Sequence, residues 1–369
     1  MSKPLKNRTA LRRVAMLGSM DGPLDGQRKL TKLFAQGTRF ETILHEFNGH
    51  RGVTGGARIL FEALRAFYFS LIRRPDVVYL AISRSRFGAI RDLIIVLPYL
   101  LARIPVVAHV HGADFERYYD RARRLSVSWL QLRAVNRFIF IHETYKFSRA
   151  NMTAGAIIRN PLPNFPEGRL PKGHRGTFPS FGFISSFVPR KGLETFLEVA
   201  QDLTDQGRWV VAGGANSGFP IYGKKLAAIV TDTPYIDYLG YLDEPLIFFE
   251  QVDFFIFPTT YQSEAVPGVV VEALLAGCIP LVRRNKRLER VFEGAPIQWF
   301  DDLQDLKDLV TRCAEMRPSE RSAVASACQF WVRRNFPSIS EWVNQVDEFL
   351  LETHDDVRLF RADVRRGGT

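Results

Sequence analysis

Two series of short β-branched runs, each followed by a longer helical pattern and separated by a proline-rich break, constrain the fold of this 369-residue chain most tightly. The first series reads as strands at 14–17, 77–82, 106–110, 138–141 and 156–158. The second reads as strands at 181–184, 209–212, 236–239, 254–257 and 279–282. Most of these runs are continuously apolar rather than alternating, as expected of parallel strands covered on both faces. Strand-helix alternation of this kind builds a doubly wound sheet. The break is Asn160-Pro161-Leu162-Pro163-Asn164-Phe165-Pro166. Proline removes a backbone donor and fixes φ, so neither sheet continues through it. The expected layout is a first domain at 1–163, a linker at 164–178, a second domain at 179–337, and a helix with a tail at 338–369. In open parallel sheets ligands bind beyond the carboxyl ends of the strands. Two such sheets facing one another would line a cleft with their strand-to-helix loops.

Composition narrows the class. Apolar residues make up 46% of the chain and charged residues 24%, which suits two packed cores and excludes disorder as the main theme. The net charge of +11 is unevenly spread: residues 1–165 hold 27 Lys and Arg against 11 Asp and Glu, while the remainder is mildly acidic. A basic half joined to an acidic half points to an anionic partner for the first domain. Arg117, Arg121 and Arg124, followed by Leu125, Trp129 and Leu132, read as one basic helical face over 115–137 that suits an anionic membrane or simply solvent. No nucleic-acid motif accompanies the charge, so nucleic acid is not an expected partner. The three cysteines, Cys278, Cys313 and Cys328, form neither a disulfide framework nor a metal cluster. The polar, basic N-terminus lacks the apolar core of a signal peptide. The most apolar run, Ile94 to Leu101, is far shorter than the roughly 20 residues that span a bilayer. A cytoplasmic protein, at the inner face of the cytoplasmic membrane or free of it, is the expectation.

Four segments carry candidate chemistry. Glu264 and Glu272 bracket the run Ala265-Val266-Pro267-Gly268-Val269-Val270-Val271, after the strand and turn Phe254-Phe255-Ile256-Phe257-Pro258-Thr259-Thr260. If that run is helical the two carboxylates lie on nearly one side, two turns apart. The N–H groups of its opening turn, at Gly268 and Val269, offer an anion site. Ser185-Ser186-Phe187-Val188-Pro189-Arg190-Lys191-Gly192-Leu193 follows another strand, and a lysine at a helix start beside a glycine turn is placed to meet a diphosphate. His109-Val110-His111-Gly112-Ala113-Asp114 closes the third strand run, with His111 at its end. Gly18 to Gln27, with Gly26 at its helix start, is a glycine-rich turn feeding a helix. It is not the Gly-x-Gly-x-x-Gly fingerprint, so a nicotinamide enzyme is disfavoured.

Together these segments resemble the retaining glycosyltransferases of family 4 (glycosyl transferases group 1), which have the GT-B fold of two facing Rossmann-like domains. The stretch from Phe257 to Pro280 is similar to the family's Glu-x7-Glu motif, which implies that Glu264 contacts donor-sugar hydroxyls and Glu272 holds the nucleotide ribose. Lys191 matches the lysine of the family's Gly-Arg-x-x-x-x-Lys-Gly pattern, on the donor diphosphate. Ser186 stands where the arginine is expected, and Arg190 either replaces that charge from a shifted position or points to solvent. His111 matches a His-Gly motif whose histidine touches the donor sugar, Gly26 matches an N-terminal glycine loop, and Asn160-Pro161 matches the exit from the first domain. The resemblance implies His111, Glu264 and Lys191 as catalytic residues. It implies Gly26, Ser186, Arg190, Lys191, Gly268, Val269 and Glu272 as donor-binding residues. It further implies a metal-independent hexosyl transfer without a cofactor, from a UDP- or GDP-sugar to a glycan or lipid-linked acceptor in cell-surface polysaccharide synthesis. Two alternatives stay open: a nucleotide-sugar epimerase on the same fold, and a non-catalytic nucleotide-sugar-binding partner.

Overall fold

The computed structural model describes residues 12–18, 26–46, 53–120, 122–145, 155–166, 178–216, 218–261 and 264–366. The chain divides into two compact units, one of Met1–Asn160 with Ser338–Thr369 and the other of Pro161–Pro337.

In the first unit six parallel strands, β1 (Arg13–Gly18), β2 (Glu41–Glu46), β3 (Val77–Ala81), β4 (Val106–Val110), β5 (Arg137–Phe140) and β6 (Gly155–Ile157), lie in the order β2-β1-β3-β4-β5-β6. Five helices connect them: α1 (Gly26–Gly37), α2 (Val53–Leu71), α3 (Arg86–Leu101), α4 (Phe115–Asp120) and α5 (Val127–Arg133). Strand pleating explains the core. Val14 and Met16 of β1 enter one apolar cluster with Phe34 of α1, while Ala15 and Leu17 enter another with Ile95 and Tyr99 of α3. With both faces covered, the strands read as unbroken apolar runs.

The second unit repeats the plan with β7 (Ser180–Phe187), β8 (Arg208–Ala215), β9 (Ile236–Tyr238), β10 (Phe254–Phe257), β11 (Ile279–Arg283) and β12 (Gln298–Phe300). Its order is β12-β11-β10-β7-β8-β9, again all parallel. The helices are α6 (Leu193–Asp202), α7 (Pro220–Asp232), α8 (Leu246–Phe249), α9 (Gly268–Ala276), α10 (Lys286–Val291), α11 (Leu303–Ala314) and α12 (Pro318–Asn335). Phe181, Phe183, Phe196, Trp209 and Phe254 centre its core. The last helix, α13 (Ile339–Arg366), belongs to the first unit, where Trp342, Val346 and Leu350 pack against Val14, Phe34 and Tyr79.

Three differences from the sequence reading have physical causes. β2 and β12 were not expected, because neither carries a β-branched apolar run: β2 reads Glu-Thr-Ile-Leu-His-Glu and β12 Gln-Trp-Phe. The basic helix expected over 115–137 is two helices. Leu125 takes a left-handed φ of 66°, and the Ser126 side chain then caps α5 by accepting from Trp129 N at 3.2 Å. Arg117 therefore sits on α4 and Arg124 in the connection, while Arg121 lies outside the described residues. β7 runs to Phe187 and so includes Ser186, which the sequence placed in the following loop.

Trp342 is fully buried, with its ring 6.0 Å from that of Phe34. Trp342→Ala is expected to destabilise the first unit by about 3–5 kcal/mol, read as an earlier midpoint in urea unfolding followed by hydrogen exchange in β1 and β3.

Candidate functional site

The second sheet reverses its winding direction between β7 and β10, the place where doubly wound sheets open a ligand crevice. At their amino ends the two strands are clamped side by side. Ser180 N and Ser180 Oγ both donate to Asp253 Oδ2, at 2.9 and 2.7 Å, and Asp253 N donates to Ser180 Oγ at 2.9 Å. Direct pairing then covers only Phe254 with Phe181 and Phe255 with Gly182. Beyond that point each strand leads into a loop that carries a candidate residue.

The two loops are tied together by backbone geometry. Arg190 and Gly192 both take left-handed φ, at 71° and 92°. The turn aims the Arg190 carbonyl at the other loop, where it accepts from Thr260 N at 2.9 Å and Thr259 Oγ1 at 3.1 Å. Gly192 is required twice over, by its φ and because a Cβ there would lie 2.8 Å from the Pro258 carbonyl oxygen. The result brings Lys191 and Glu264 together: Lys191 Nζ forms an ion pair with Glu264 Oε1, and both side chains are largely buried. Lys191 Nζ also stands 5.1 Å from the centre of the Tyr261 ring, within cation–π range.

Glu264 is not on the helix with Glu272, as its spacing had suggested. It lies four residues before α9, which starts at Gly268 with Pro267 as its N-cap. A residue preceding proline is disfavoured in the helical region, so the helix cannot extend back through Val266. Glu272 sits in the middle of α9 and is half-buried. Gly268 and Val269 open the helix, where amide groups have no intrahelical acceptor, and a Cβ on Gly268 would meet no atom within 4 Å. Ser186 and Arg190 are exposed on the strand end and the turn beside Lys191. Thr259 and Tyr261, which the sequence reading did not single out as site residues, complete this group; their signal was the lead-in Phe257-Pro258-Thr259.

In the first unit His111 follows β4. Its ring stacks on that of His109 at 4.0 Å between centroids, and both of its nitrogens are buried without a hydrogen bond. Burial, with a further push from the Arg84 guanidinium, drives its pKa down to about 3. His109 is fully buried and is pushed well below its usual value by burial and by His111, while its Nδ1 lies 2.6 Å from Tyr79 Oη. The sequence missed Arg84. It comes from the loop after β3, pairs with Asp114, and lies across Gly112, where a Cβ would fall 1.4 Å from its Nη1. Gly26 is the first residue of α1. The glycine-rich turn ahead of it, residues 19–25, lies outside the described residues. No group of three or more His, Cys, Asp or Glu able to hold a metal ion occurs among the described residues.

A doubly wound sheet whose switch point carries a Lys–Glu pair beside a helix N-terminus is suited to an anionic, hydroxyl-rich ligand. Residues 178–313, which include that switch point, match the family model for glycosyl transferases group 1, so the second unit carries a domain of this kind. No curated protein matches the chain significantly by sequence. Solved structures cover almost all of it. HepE of Anabaena in complex with UDP-glucose is 16% identical with a TM-score of 0.69, covering 93% of this chain and 99% of HepE. Sucrose-phosphate synthase from Thermosynechococcus elongatus is 12% identical with a TM-score of 0.66, covering 95% of this chain and all of the other. A trehalose-6-phosphate protein of E. coli bound with UDP-2-fluoro glucose is 9% identical with a TM-score of 0.65, covering 92% and 99%. At these identities the likeness is one of fold, and the fold is GT-B: two parallel-sheet α/β domains of six strands each.

The buried histidines generate a pH dependence. Their folded pKa values lie below that of an unfolded histidine, so between about pH 6.5 and pH 4 the unfolded chain binds protons that the folded chain does not. Stability is therefore full above pH 6.5 and falls on acidification by about 1.4 kcal/mol per pH unit for each such histidine. Urea unfolding of His111→Gln between pH 7 and pH 4 should show a shallower slope than the parent.

Proposed function

We propose that the chain is a retaining glycosyltransferase that moves a hexosyl group from a nucleotide-diphosphate sugar to a glycan or lipid-linked acceptor in cell-surface polysaccharide synthesis. The observation that carries this reading is the Lys191–Glu264 pair at the switch point, ahead of the open N-terminus of α9. In the transfer the bond between the anomeric carbon and the diphosphate oxygen breaks, a glycosidic bond forms to the acceptor oxygen, and the acceptor hydroxyl's proton passes to the departing diphosphate. Negative charge grows on the departing diphosphate and positive character on the sugar ring. Lys191 and the amides of Gly268 and Val269 are assigned to the diphosphate, with Arg190 on the same turn in place of the arginine that Ser186 lacks. Glu264 is assigned to the sugar hydroxyls and Glu272 to the ribose. Donor entry exchanges the ion pair for new partners: the lysine turns to phosphate and the carboxylate to sugar hydroxyls, which avoids leaving either charge alone. His111 presents two buried ring nitrogens that a sugar hydroxyl would satisfy. With Lys191 and backbone amides facing the leaving group, the reading requires neither a metal nor a cofactor. The structures of similar proteins with UDP, UDP-glucose and UDP-2-fluoro glucose favour a UDP-sugar as the first donor to try.

Calorimetric titration with UDP, GDP and their glucose and mannose conjugates, with chelator present, tests the site. One nucleotide should bind, and Glu272→Ala should weaken it about tenfold or more, the loss of a hydrogen bond to a charged group. Glu264→Ala should leave UDP affinity largely intact while lowering release of UDP from its sugar conjugate by about a hundredfold or more. Binding without turnover under every acceptor screened would favour the non-catalytic reading that Ser186 motivates. A single epimerised sugar nucleotide as product would favour the epimerase.

A further inference from the structure

Helix α2 turns most of its large apolar residues outward. Leu60, Phe61, Leu64, Phe67, Tyr68 and Leu71 recur at helical spacing and are exposed, whereas the residues it buries are Gly55, Glu62, Ala66 and Ser70, with Phe69 half-buried against the core. Its neighbour α3, packed against it, presents a second outward stripe of Phe87, Ile90, Ile94, Leu97 and Leu101, with Phe87 87% and Leu101 73% exposed. Ile72 extends the first stripe past the end of α2. Among the described residues, 12 of the 22 exposed large hydrophobics fall between Leu60 and Leu101. Scattered exposed apolar residues need no explanation, but a patch of this size does.

A buried polar network holds the stripe outward. Glu62 has no solvent exposure; it lies 2.9 Å from His45 Nδ1, accepts from Arg65 Nη1 at 2.9 and 3.0 Å, and has Arg58 Nη2 at 3.3 Å. His45 Nε2 in turn meets Tyr99 Oη of α3 at 2.6 Å. Rolling α2 to bury Leu60, Leu64 and Phe67 would tear Glu62 from these partners and leave polar groups unsatisfied in the core. The apolar face is therefore built into the fold.

The charges around the patch are mostly positive, with Glu41 of β2 placed 3.9 Å from Arg73 Nη1. Residues 53–104 contain eight arginines and no lysine, against Glu62, Asp76 and Asp92. Glu62 and Asp92 are buried, and the half-buried Asp76 accepts the backbone N–H groups of Arg12 and Arg13 at 2.8 and 3.1 Å. Arg58 and Arg65 lie over the faces of Phe61 and Phe69. Arg73, Arg74 and Arg103 follow the carboxyl ends of the two helices. There Arg74 and Arg103 help line a hollow of about 290 Å³ with Asp76, His354 and Arg358. A two-fold pairing of this face with a second copy would set arginines against arginines. A negatively charged lipid surface meets both features, taking the stripes into its acyl boundary and the arginines at its phosphates.

We propose that the outward faces of α2 and α3 form a docking surface for an anionic lipid bilayer. This deepens the reading of a lipid-borne acceptor, and it places membrane contact on these helices rather than on the Arg117–Trp129 segment. Sedimentation of the full chain with vesicles of phosphatidylcholine, with and without phosphatidylglycerol, tests it without any turnover. The parent should bind the anionic vesicles and favour them over neutral ones. Phe61→Ser with Phe67→Ser should lose about tenfold or more of the partitioning, since two buried phenyl rings are withdrawn. Arg73→Gln with Arg74→Gln should lose the preference for phosphatidylglycerol, and Ile221→Ser, another exposed apolar residue in the second unit, should change nothing. Hydrogen exchange in β1 and β3 of each variant shows that the first unit remains folded, and UDP titration reads the donor site separately, so failure there is distinguishable from failure here. The proposal is overturned if the parent ignores both vesicles, if the phenylalanine pair binds as the parent does, or if the parent is a dimer that the phenylalanine pair dissociates.

Discussion

The clamp between Ser180 and Asp253 fixes β7 beside β10, and the candidate site of the second unit depends on that adjacency. Strands far apart in sequence become neighbours at the reversal of winding, and the loops at their far ends must then share one space. The left-handed turn at Arg190 and Gly192 joins those loops through the Arg190 carbonyl, so the register set at one end of the strands is carried to Lys191 and Glu264 at the other. Neither side chain is held by its own helix. Each stands on a backbone that the sheet positions, which is how an irregular loop can present a charge reproducibly.

The first unit uses a different device. Its sheet is covered on one face by α1 and α13, whose apolar residues point inward as expected, and on the other by helices of which α2 faces the reverse way. Buried polar contacts are expensive unless complete, and the Glu62 group is complete through His45, Arg65 and Tyr99. Burial lowers the pKa of His45, while Glu62 and Arg65 oppose one another there; Glu62 is itself held low by His45 and Arg65 despite its burial. The network thus works with a carboxylate and a largely neutral imidazole near neutrality, and it specifies which side of α2 meets the core.

The legibility of the sequence follows from these devices. All ten strands read from the sequence are present, most of them because strands covered on both faces leave an unbroken apolar signature. β2 was illegible because its Ile and Leu stand among polar residues, and β12 because Gln-Trp-Phe holds no β-branched run. Lys191 and Glu264 were legible through a turn and a spacing, but their pairing was not: 73 residues separate them, and only the sheet order brings them together. Arg84 was illegible for the same reason, since nothing in Ser83-Arg84-Ser85 says that β3 lies next to β4. The apolar residues of α2 recur at helical spacing, yet most of them face away from the core. Periodicity reports that a helix has an apolar face without saying what covers it.

That last point bears on how charge is read. The excess of positive charge in the first 165 residues suggested a basic stripe on one helix, with Arg117, Arg121 and Arg124 at helical spacing. The chain breaks there, at Leu125 and Ser126, and the spacing has no helix to act on. The arginines beside the larger set of exposed apolar residues are those of α2, α3 and the turns that follow them. Position relative to an exposed apolar face, not number or spacing, gives a basic residue a role in surface recognition, because a charge contributes most where apolar contact already holds the partner close.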